Sequence, residues 1–199
     1  MLITIKKVKE KYYRVFADGK EIGIFHEKTL NKLKIENNKE YGEEYIKKFE
    51  LIKKIKLARK KAEDILNYRD HSEKELYKKL IKHTEKEIAK YVIKYMKKRG
   101  IVDDFKYATN LAQKLIFKKN KGKNLAILEI TKKGIDKDIA KKVVLNLNCD
   151  FVEQIKTLIS KKHKEKLKDY ESRKKLISSL LRRGYCYGDI DTAIKFFIN

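Results

Sequence analysis

KKLIKHTEKEIAKYV (78–92), LEITKKGIDKDIAKKVV (128–144) and SLLRRGYCYGDIDTAI (179–194) follow one pattern at a constant interval. Their apolar residues lie 50 positions apart at Leu80, Ile130 and Leu180. A fixed period of this length is typical of proteins that stack one helical unit on the next. The interval predicts three tandem units of about 50 residues, each with three helices, in an elongated and curved stack.

Signals for the starts and ends of helices surround these stretches. Ser72-x-x-Glu75 and Thr84-x-x-Glu87 match the capping box, in which hydroxyl and carboxylate each satisfy a backbone N–H group. Further N-cap candidates are Asp104, Asp136 and Asp189. Three glycines follow pairs of cations, as the C-termini of helices prefer: Gly100, Gly134 and Gly184. We expect residues 55–199 to be almost entirely helical, with nine helices in three bundles.

The first 50 residues have a different pattern. LITIKKV (2–8), YYRVFA (12–17) and EIGIF (21–25) are rich in β-branched and aromatic residues, and Asp18-Gly19 predicts a hairpin turn. A short helix near 26–34 should cover one face of these strands, and a second is expected around 43–54. The predicted fold is therefore mainly α. Its units are a small β-rich unit (1–50) and helical repeats at 51–100, 101–148 and 149–199.

The charge of the chain is strongly positive and uneven. Its formal net charge is +24, of which residues 1–50 carry +3 and residues 51–199 carry +21. A Lys-rich codon bias could contribute, but it would raise Glu as well, and here the cations are left uncompensated. The charge favours a polyanion or an acidic protein surface as the partner, mainly of the helical segment.

Composition excludes several other classes of protein. No apolar run approaches the ~18 residues of a membrane span, and no signal-peptide pattern opens the chain. The two cysteines, Cys149 and Cys186, cannot frame a disulfide-rich secreted module. We expect a soluble, cytoplasmic protein that has no membrane partner.

Several blocks of the sequence resemble one known family. LNYRDHSEKELYKKL (66–80) resembles the Arg-x-x-Ser-x-x-Glu-Leu signature of the RecX family of recombination regulators. GIVDDFKYA (100–108) and KGKNLAILEITKKGI (121–135) are similar to the next two segments of that family, in its order and spacing. YYRVFADGKEIGIFHEKTLNKLKI (12–35) resembles the hairpin extension of members from low-GC bacteria.

The resemblance implies a regulatory function without chemistry. RecX-like proteins bind the RecA recombinase, lie along the groove of its filament on single-stranded DNA, and suppress its ATPase and strand exchange. The implied partners are the RecA filament and single-stranded DNA, contacted directly or through the filament. The chain is expected to be a monomer that needs no cofactor. The alternative is a general basic nucleic-acid-binding repeat protein that has no recombinase partner.

A catalytic site is not expected, so an enzyme such as a nuclease is the least favoured of the three functional hypotheses. No phosphate-binding Gly-x-x-x-x-Gly-Lys-Ser/Thr motif occurs. Asp103 and Asp104 are adjacent on a helix, so their side chains diverge by about 100° and would not hold one metal ion. His71 is expected to lie at the surface or to cap a helix. We predict no catalytic residue and no metal site.

Binding candidates are the cations and tyrosines at predicted helix ends. Arg69 stands in the signature block, where it could hold Asp70 or Glu73 or contact the partner. Tyr77, Tyr91, Tyr95 and Tyr107 have the spacing of core residues, whereas Tyr185 and Tyr187 are expected to be exposed. The complete candidate set is Arg69, Lys97, Lys98, Arg99, Lys118, Lys119, Lys121, Lys123, Lys132, Lys133, Arg182, Arg183, Tyr185 and Tyr187.

Overall fold

An antiparallel sheet opens the fold in the computed structural model, which describes residues 1–162, 164–167 and 169–198. Its strands are β1 (Leu2–Lys9), β2 (Tyr12–Ala17), β3 (Lys20–His26) and β4 (Lys39–Glu40), in the order β3-β2-β1-β4. Asp18 and Gly19 form the predicted turn, with positive φ values of 46° and 79°. Helix α1 (Glu27–Leu33) confirms the expected covering helix.

The rest of the described chain is almost entirely helical. The first unit contains α2 (Glu44–Tyr68), α3 (Glu73–Leu80) and α4 (Lys86–Lys98). The second contains α5 (Asp104–Gln113), a π-helical turn (Lys114–Lys118), α6 (Lys123–Lys132) and α7 (Lys137–Leu145). The third contains α8 (Phe151–Lys162), a 3₁₀ turn (Lys164–Leu167), α9 (Tyr170–Arg182) and α10 (Tyr187–Ile198). The predicted fold class is confirmed.

Helix α2 connects the sheet to the first helical unit without a break. The short helix expected around 43–54 is the first half of this 25-residue helix. Phe49 is fully buried in the core beneath the sheet, whereas Ala58 and Ala62 are buried in the core of the first helical unit. The predicted boundary at residue 50 therefore lies inside one helix, whose two halves pack in two different hydrophobic cores.

Each unit buries a hydrophobic cluster of its own. The sheet packs Ile3, Val15 and Phe25 against α1 and α2, and each three-helix unit has a separate cluster. We propose that these four clusters are the structural units of the chain. The total accessible surface is 13416 Å². A compact protein of 23.7 kDa exposes about 9,800 Å², so the shape is elongated.

The helix caps follow the sequence in part. Ser72 and Asp136 cap α3 and α7 as predicted. Helix α5 is capped by Asp103 instead of Asp104, because the Asp103 Oδ1 accepts from two backbone N–H groups of the first turn. Thr84 is not the cap, because the N-cap of α4 is the next residue, Glu85, and the helix begins at Lys86. Asp189 lies within the first turn of α10.

Candidate binding surface

The predicted cation pairs lie at the ends of helices. Lys98 ends α4, Lys132 ends α6 and Arg182 ends α9, and the C-cap residue that follows each is also a cation. Cations at these positions complement the negative end of the helix dipole. The cluster at 118–123 spans the end of the π-helical turn and the start of α6.

Two of these ends are junctions between units. The end of α9 meets the start of α6: the N–H of Gly122 donates to the carbonyl of Arg183 over 2.9 Å, and the N–H of Asn124 donates to the carbonyl of Gly184 over 3.0 Å. Free donors at the N-terminus of one helix thus satisfy free acceptors at the C-terminus of another. We call this contact between α9 and α6 the second junction, and Arg182 and Arg183 lie at it.

The first junction joins the corresponding positions 50 residues earlier, through a side-chain donor instead of a backbone N–H. The end of α6 meets the start of α3, where the hydroxyl of Ser72 donates to the carbonyl of Lys133. Gly134, with φ of +89°, lies so close to Lys74 that an added Cβ would come within 2.6 Å of the Lys74 Cβ. Positions 72 and 133 of the first junction correspond to positions 122 and 183 of the second.

Glu75 is the centre of a charged network at the first junction. Its carboxylate lies 3.3 Å from the Arg69 guanidinium and 3.3 Å from the Lys133 ammonium, and it accepts from the Tyr107 hydroxyl at 3.2 Å. Burial acts to raise the pKa of the Glu75 carboxyl, but the hydrogen bonds from Arg69 and Lys133 outweigh it and hold the pKa at about 2. Residues from four helices of two units, α2 and α3 of the first and α5 and α6 of the second, therefore meet at one side chain.

This network corrects the interpretation of Arg69. Its guanidinium contacts the Glu75 carboxylate and the backbone carbonyl of Asp70, and it pairs with neither the Asp70 nor the Glu73 carboxylate. Glu73 instead pairs with Lys97, whose Nζ lies 2.6 Å away. The Arg-x-x-Ser-x-x-Glu pattern thus supplies three members of one junction: Arg69, Ser72 and Glu75.

The candidate cations fall into three groups. Arg69, Lys97, Lys121 and Lys133 each have an acidic partner. Arg99 stacks on Tyr95, with its guanidinium carbon 4.8 Å from the ring centroid. Within the described part of the chain, the remaining cations have no ion pair: Lys98, Lys118, Lys119, Lys123, Lys132, Arg182 and Arg183. These seven are the charges that a partner could neutralise without displacing an internal contact.

The two candidate tyrosines have opposite environments. The prediction that Tyr185 is exposed is wrong: its side chain is 1% exposed, whereas that of Tyr187 is 63% exposed. The Tyr185 hydroxyl lies 3.0 Å from the Asn120 carbonyl and 2.7 Å from Oε1 of Gln154, and burial raises its pKa to about 12. Tyr185 holds the second junction together, and only Tyr187 of this pair is accessible.

Asp103, Asp104 and His71 have structural partners. The Asp104 Oδ1 accepts from the backbone N–H of Glu73 at 2.8 Å, so Asp103 and Asp104 serve different helices. Of the two positions expected for His71, the surface is wrong, since it is 3% exposed, and its Nδ1 lies 2.8 Å from the carbonyl of Arg69, the C-cap residue of α2. His163 lies outside the described residues. Among the residues that the structure covers, no three His, Cys, Asp or Glu side chains form a group suited to a metal ion.

One cationic surface was missed by the sequence analysis. Arg59 of α2 stacks 3.7 Å from the ring centroid of Tyr95, and Tyr91, predicted in the core, is 51% exposed beside it. A groove of about 310 Å³ lies nearby between α3 and α4, lined by Glu73, Tyr77, Lys90, Ile93, Lys94 and Lys97. The spacing of Lys90, Lys94 and Lys97 on one helical face was the available signal.

The architecture defines a class of protein. Three units of three helices follow one another through matching junctions, after a small sheet, so this is a tandem three-helix repeat protein. No helix in the described ranges is long and apolar enough to cross a membrane.

Comparison with known proteins gives the family. Residues 58–96 match the family model "RecX, first three-helix domain", and residues 149–194 match "RecX, third three-helix domain". These two domain matches support the RecX family for this chain, and with it a RecX-type regulatory protein. The resemblance found in the sequence is thereby confirmed. No curated protein matches the sequence of this chain.

Solved structures share the architecture. A crystal structure of regulatory protein RecX is 20% identical, with a TM-score of 0.80 over 96% of this chain and 98% of that chain. A crystal structure of RecX from Lactobacillus salivarius is 27% identical, with a TM-score of 0.68 over 73% of this chain and 97% of that chain. At 20% identity the first likeness supports the fold alone.

Proposed function

We propose that this chain binds the RecA filament on single-stranded DNA and restrains its ATPase and strand exchange. The observation that carries the proposal is the recurrence of unpaired cations at matching junctions of a RecX-family repeat array. Lys132 and the pair Arg182-Arg183 stand at the ends of the second helices of successive units, α6 and α9, and have no ion pair in the described structure. Such a series suits an extended polyanion or an acidic groove better than it suits a small ligand.

The proposal assigns the chain no reaction of its own. Its partners are the RecA filament and single-stranded DNA, it acts as a monomer in the cytoplasm, and it requires no cofactor. The domain matches to a regulatory family support this assignment. DNA cleavage by the purified chain in the presence of Mg²⁺ would contradict it.

Co-sedimentation with preformed RecA filaments tests the binding step. We expect the triple variant Lys132→Ala/Arg182→Ala/Arg183→Ala to bind filaments at least tenfold more weakly, because each lost cation leaves a phosphate or carboxylate unneutralised. The matched control, Lys47→Ala/Lys56→Ala/Lys60→Ala, removes the same charge from exposed positions of α2. Equal weakening by both variants would show that net charge alone matters and would contradict a specific filament contact.

A second function is favoured by the charge of +21 on residues 51–199. A general nucleic-acid-binding repeat protein would bind DNA tightly without RecA, with a steep dependence on salt because each neutralised phosphate releases counterions. Failure to bind DNA at moderate salt, together with retained binding to filaments, would eliminate this alternative.

A further inference from the structure

The N-terminal sheet has two different faces. One face buries Ile3, Val15 and Phe25 against α1 and α2. Because successive side chains of a strand alternate between faces, the other face carries the residues between them. We call this the outer face and define it by Thr4, Lys6, Lys9, Tyr12, Arg14, Phe16 and Ile24, all exposed or half-exposed; a bulge between Lys7 and Lys9 brings Lys9 opposite Tyr12. The register confirms that they are neighbours: Thr4 is opposite Phe16, Lys6 opposite Arg14, and Arg14 opposite Ile24.

Aromatic rings and cations are interleaved on the outer face. The Lys6 ammonium lies 5.5 Å from the centroid of the Phe16 ring, and the Lys9 ammonium lies 5.1 Å from that of Tyr12. The His26 ring meets Tyr12 edge-on at 5.0 Å and fixes its position. Tyr12 and Phe16 are four residues apart on β2, which separates the rings by about 13 Å along the strand.

The charge of the sheet differs from that of the unit around it. Strands β1, β2 and β3 contain five cations and one acid, although residues 1–50 as a whole carry only +3. The acid, Glu21, is paired with Arg14 at 3.5 Å. The other acids of this unit lie outside β1–β3, on turns and loops, on β4 and on helices. The sheet is therefore positive although the net charge of residues 1–50 is small.

We propose that the outer face binds single-stranded DNA, with bases stacked on Tyr12 and Phe16 and phosphates contacted by Lys6 and Lys9. Aromatic side chains on an open sheet stack bases of any sequence, and flanking cations follow the backbone. The lysine side chains that lie over the rings are flexible and can turn to phosphate when a base takes their place. This site goes beyond the proposed function, because it contacts DNA without RecA.

Fluorescence can report stacking at this face directly. The chain has no tryptophan, so Phe16→Trp places a single reporter on the outer face. We expect a short oligothymidylate to quench its emission in the absence of RecA. The control is Tyr68→Trp, at a position 86% exposed at the end of α2, whose emission should not change. Quenching of the control alone, or of neither variant, would overturn the proposal.

Affinity measurements test the cations. Lys6→Ala/Lys9→Ala should lower the affinity for oligothymidylate about tenfold and reduce the slope of log affinity against log salt by about 1.4. The matched control Lys28→Ala/Lys32→Ala removes the same charge from exposed positions of α1 and should have a smaller effect. Both variants should retain the Tm of the parent chain.

The same variants separate this site from RecA contacts. If Lys6→Ala/Lys9→Ala keeps its oligothymidylate affinity but loses affinity for RecA filaments, the face docks on protein and the DNA assignment is overturned. If the parent chain fails to inhibit RecA although oligothymidylate quenches Phe16→Trp as expected, the proposed function is contradicted. The outer face then remains a DNA site.

Discussion

The side-chain hydroxyl of Ser72 donates a hydrogen bond to the backbone carbonyl of Lys133 and so fastens the start of α3 to the end of α6. The backbone N–H of Gly122 makes the corresponding bond to the carbonyl of Arg183 over 2.9 Å. The second helices of the three units therefore run head to tail. This arrangement places the cations of each helix end at a junction, where they can form a series along the stack.

Ser72 is fully buried and acts twice, as the N-cap of α3 and as the donor to Lys133. We expect Ser72→Ala to lower the free energy of unfolding by about 1–3 kcal/mol, because it removes a cap and leaves the partly buried carbonyl of Lys133 without its donor. Ser178→Ala is the control, since its hydroxyl is exposed on α9 and bonds only within that helix. Urea denaturation of both variants measures the difference, and equal stability would contradict the account of the junction.

Glu75 should make the first junction sensitive to acid. Its folded pKa of about 2 lies below its ordinary value of 4.5, so its stabilising contribution is complete above about pH 4.5 and is lost as the pH falls toward 2. We expect Glu75→Gln to cost about 1–2 kcal/mol at neutral pH, a modest value because Arg69 and Lys133 are partly exposed and water screens them.

The Glu75→Gln effect should shrink between pH 4.5 and pH 2, as the parent protein loses the same charge. Glu63→Gln, at an exposed position of α2, controls for the loss of one negative charge. Unfolding followed by circular dichroism across this range gives the comparison. A difference between Glu75→Gln and the parent that does not depend on pH would contradict the ion-pair account.

Gly184 should be intolerant of a side chain. Its φ is +88°, and an added Cβ would overlap the backbone of Leu125 at the start of α6. We expect Gly184→Ala to destabilise the chain by at least about 1–3 kcal/mol, through backbone strain and loss of the close approach. Gly188→Ala is the control, because its Cβ would meet no atom within 4 Å, and a helical Ala there should raise the Tm slightly.

Tyr185 and Tyr187 should respond differently to loss of the hydroxyl. Tyr185→Phe removes the one O–H donor that lies between the Asn120 carbonyl and the Gln154 Oε1, and should cost about 1–2 kcal/mol. Tyr187→Phe alters an exposed group and should leave the Tm unchanged. A larger loss of stability in Tyr187→Phe would contradict the placement of Tyr185 in the second junction.

The architecture was predictable because the 50-residue repeat recurs at positions where the fold restricts the residue type, namely glycines with positive φ and buried apolar residues. Gly134 and Gly184 both follow helix ends with positive φ, and the apolar positions 50 residues apart are buried in equivalent cores. The same interval could have located Tyr185, since it corresponds to Ile135, which is 2% exposed. Tyr185 was instead expected to be exposed because it follows Arg182 and Arg183 in the sequence.

Contacts between residues that are far apart in the chain could not be predicted from the sequence. Glu75 was interpreted as half of a local capping box, but Arg69 is 6 residues away, Tyr107 is 32 and Lys133 is 58. Local rules give the cap, because it depends on adjacent backbone, and they do not give the partner of the carboxylate. The continuous α2 was missed for a similar reason, since its two halves face different cores.

ATP hydrolysis by the cognate RecA on single-stranded DNA, with this chain titrated in at low and moderate salt, tests the proposed function most directly. We predict inhibition at amounts below one chain per RecA that persists at moderate salt, because specific contacts in the filament add to the charge. Inhibition found only at low salt and relieved by excess DNA would mean competition for phosphate. That result would contradict RecA-filament regulation and favour the general nucleic-acid-binding alternative.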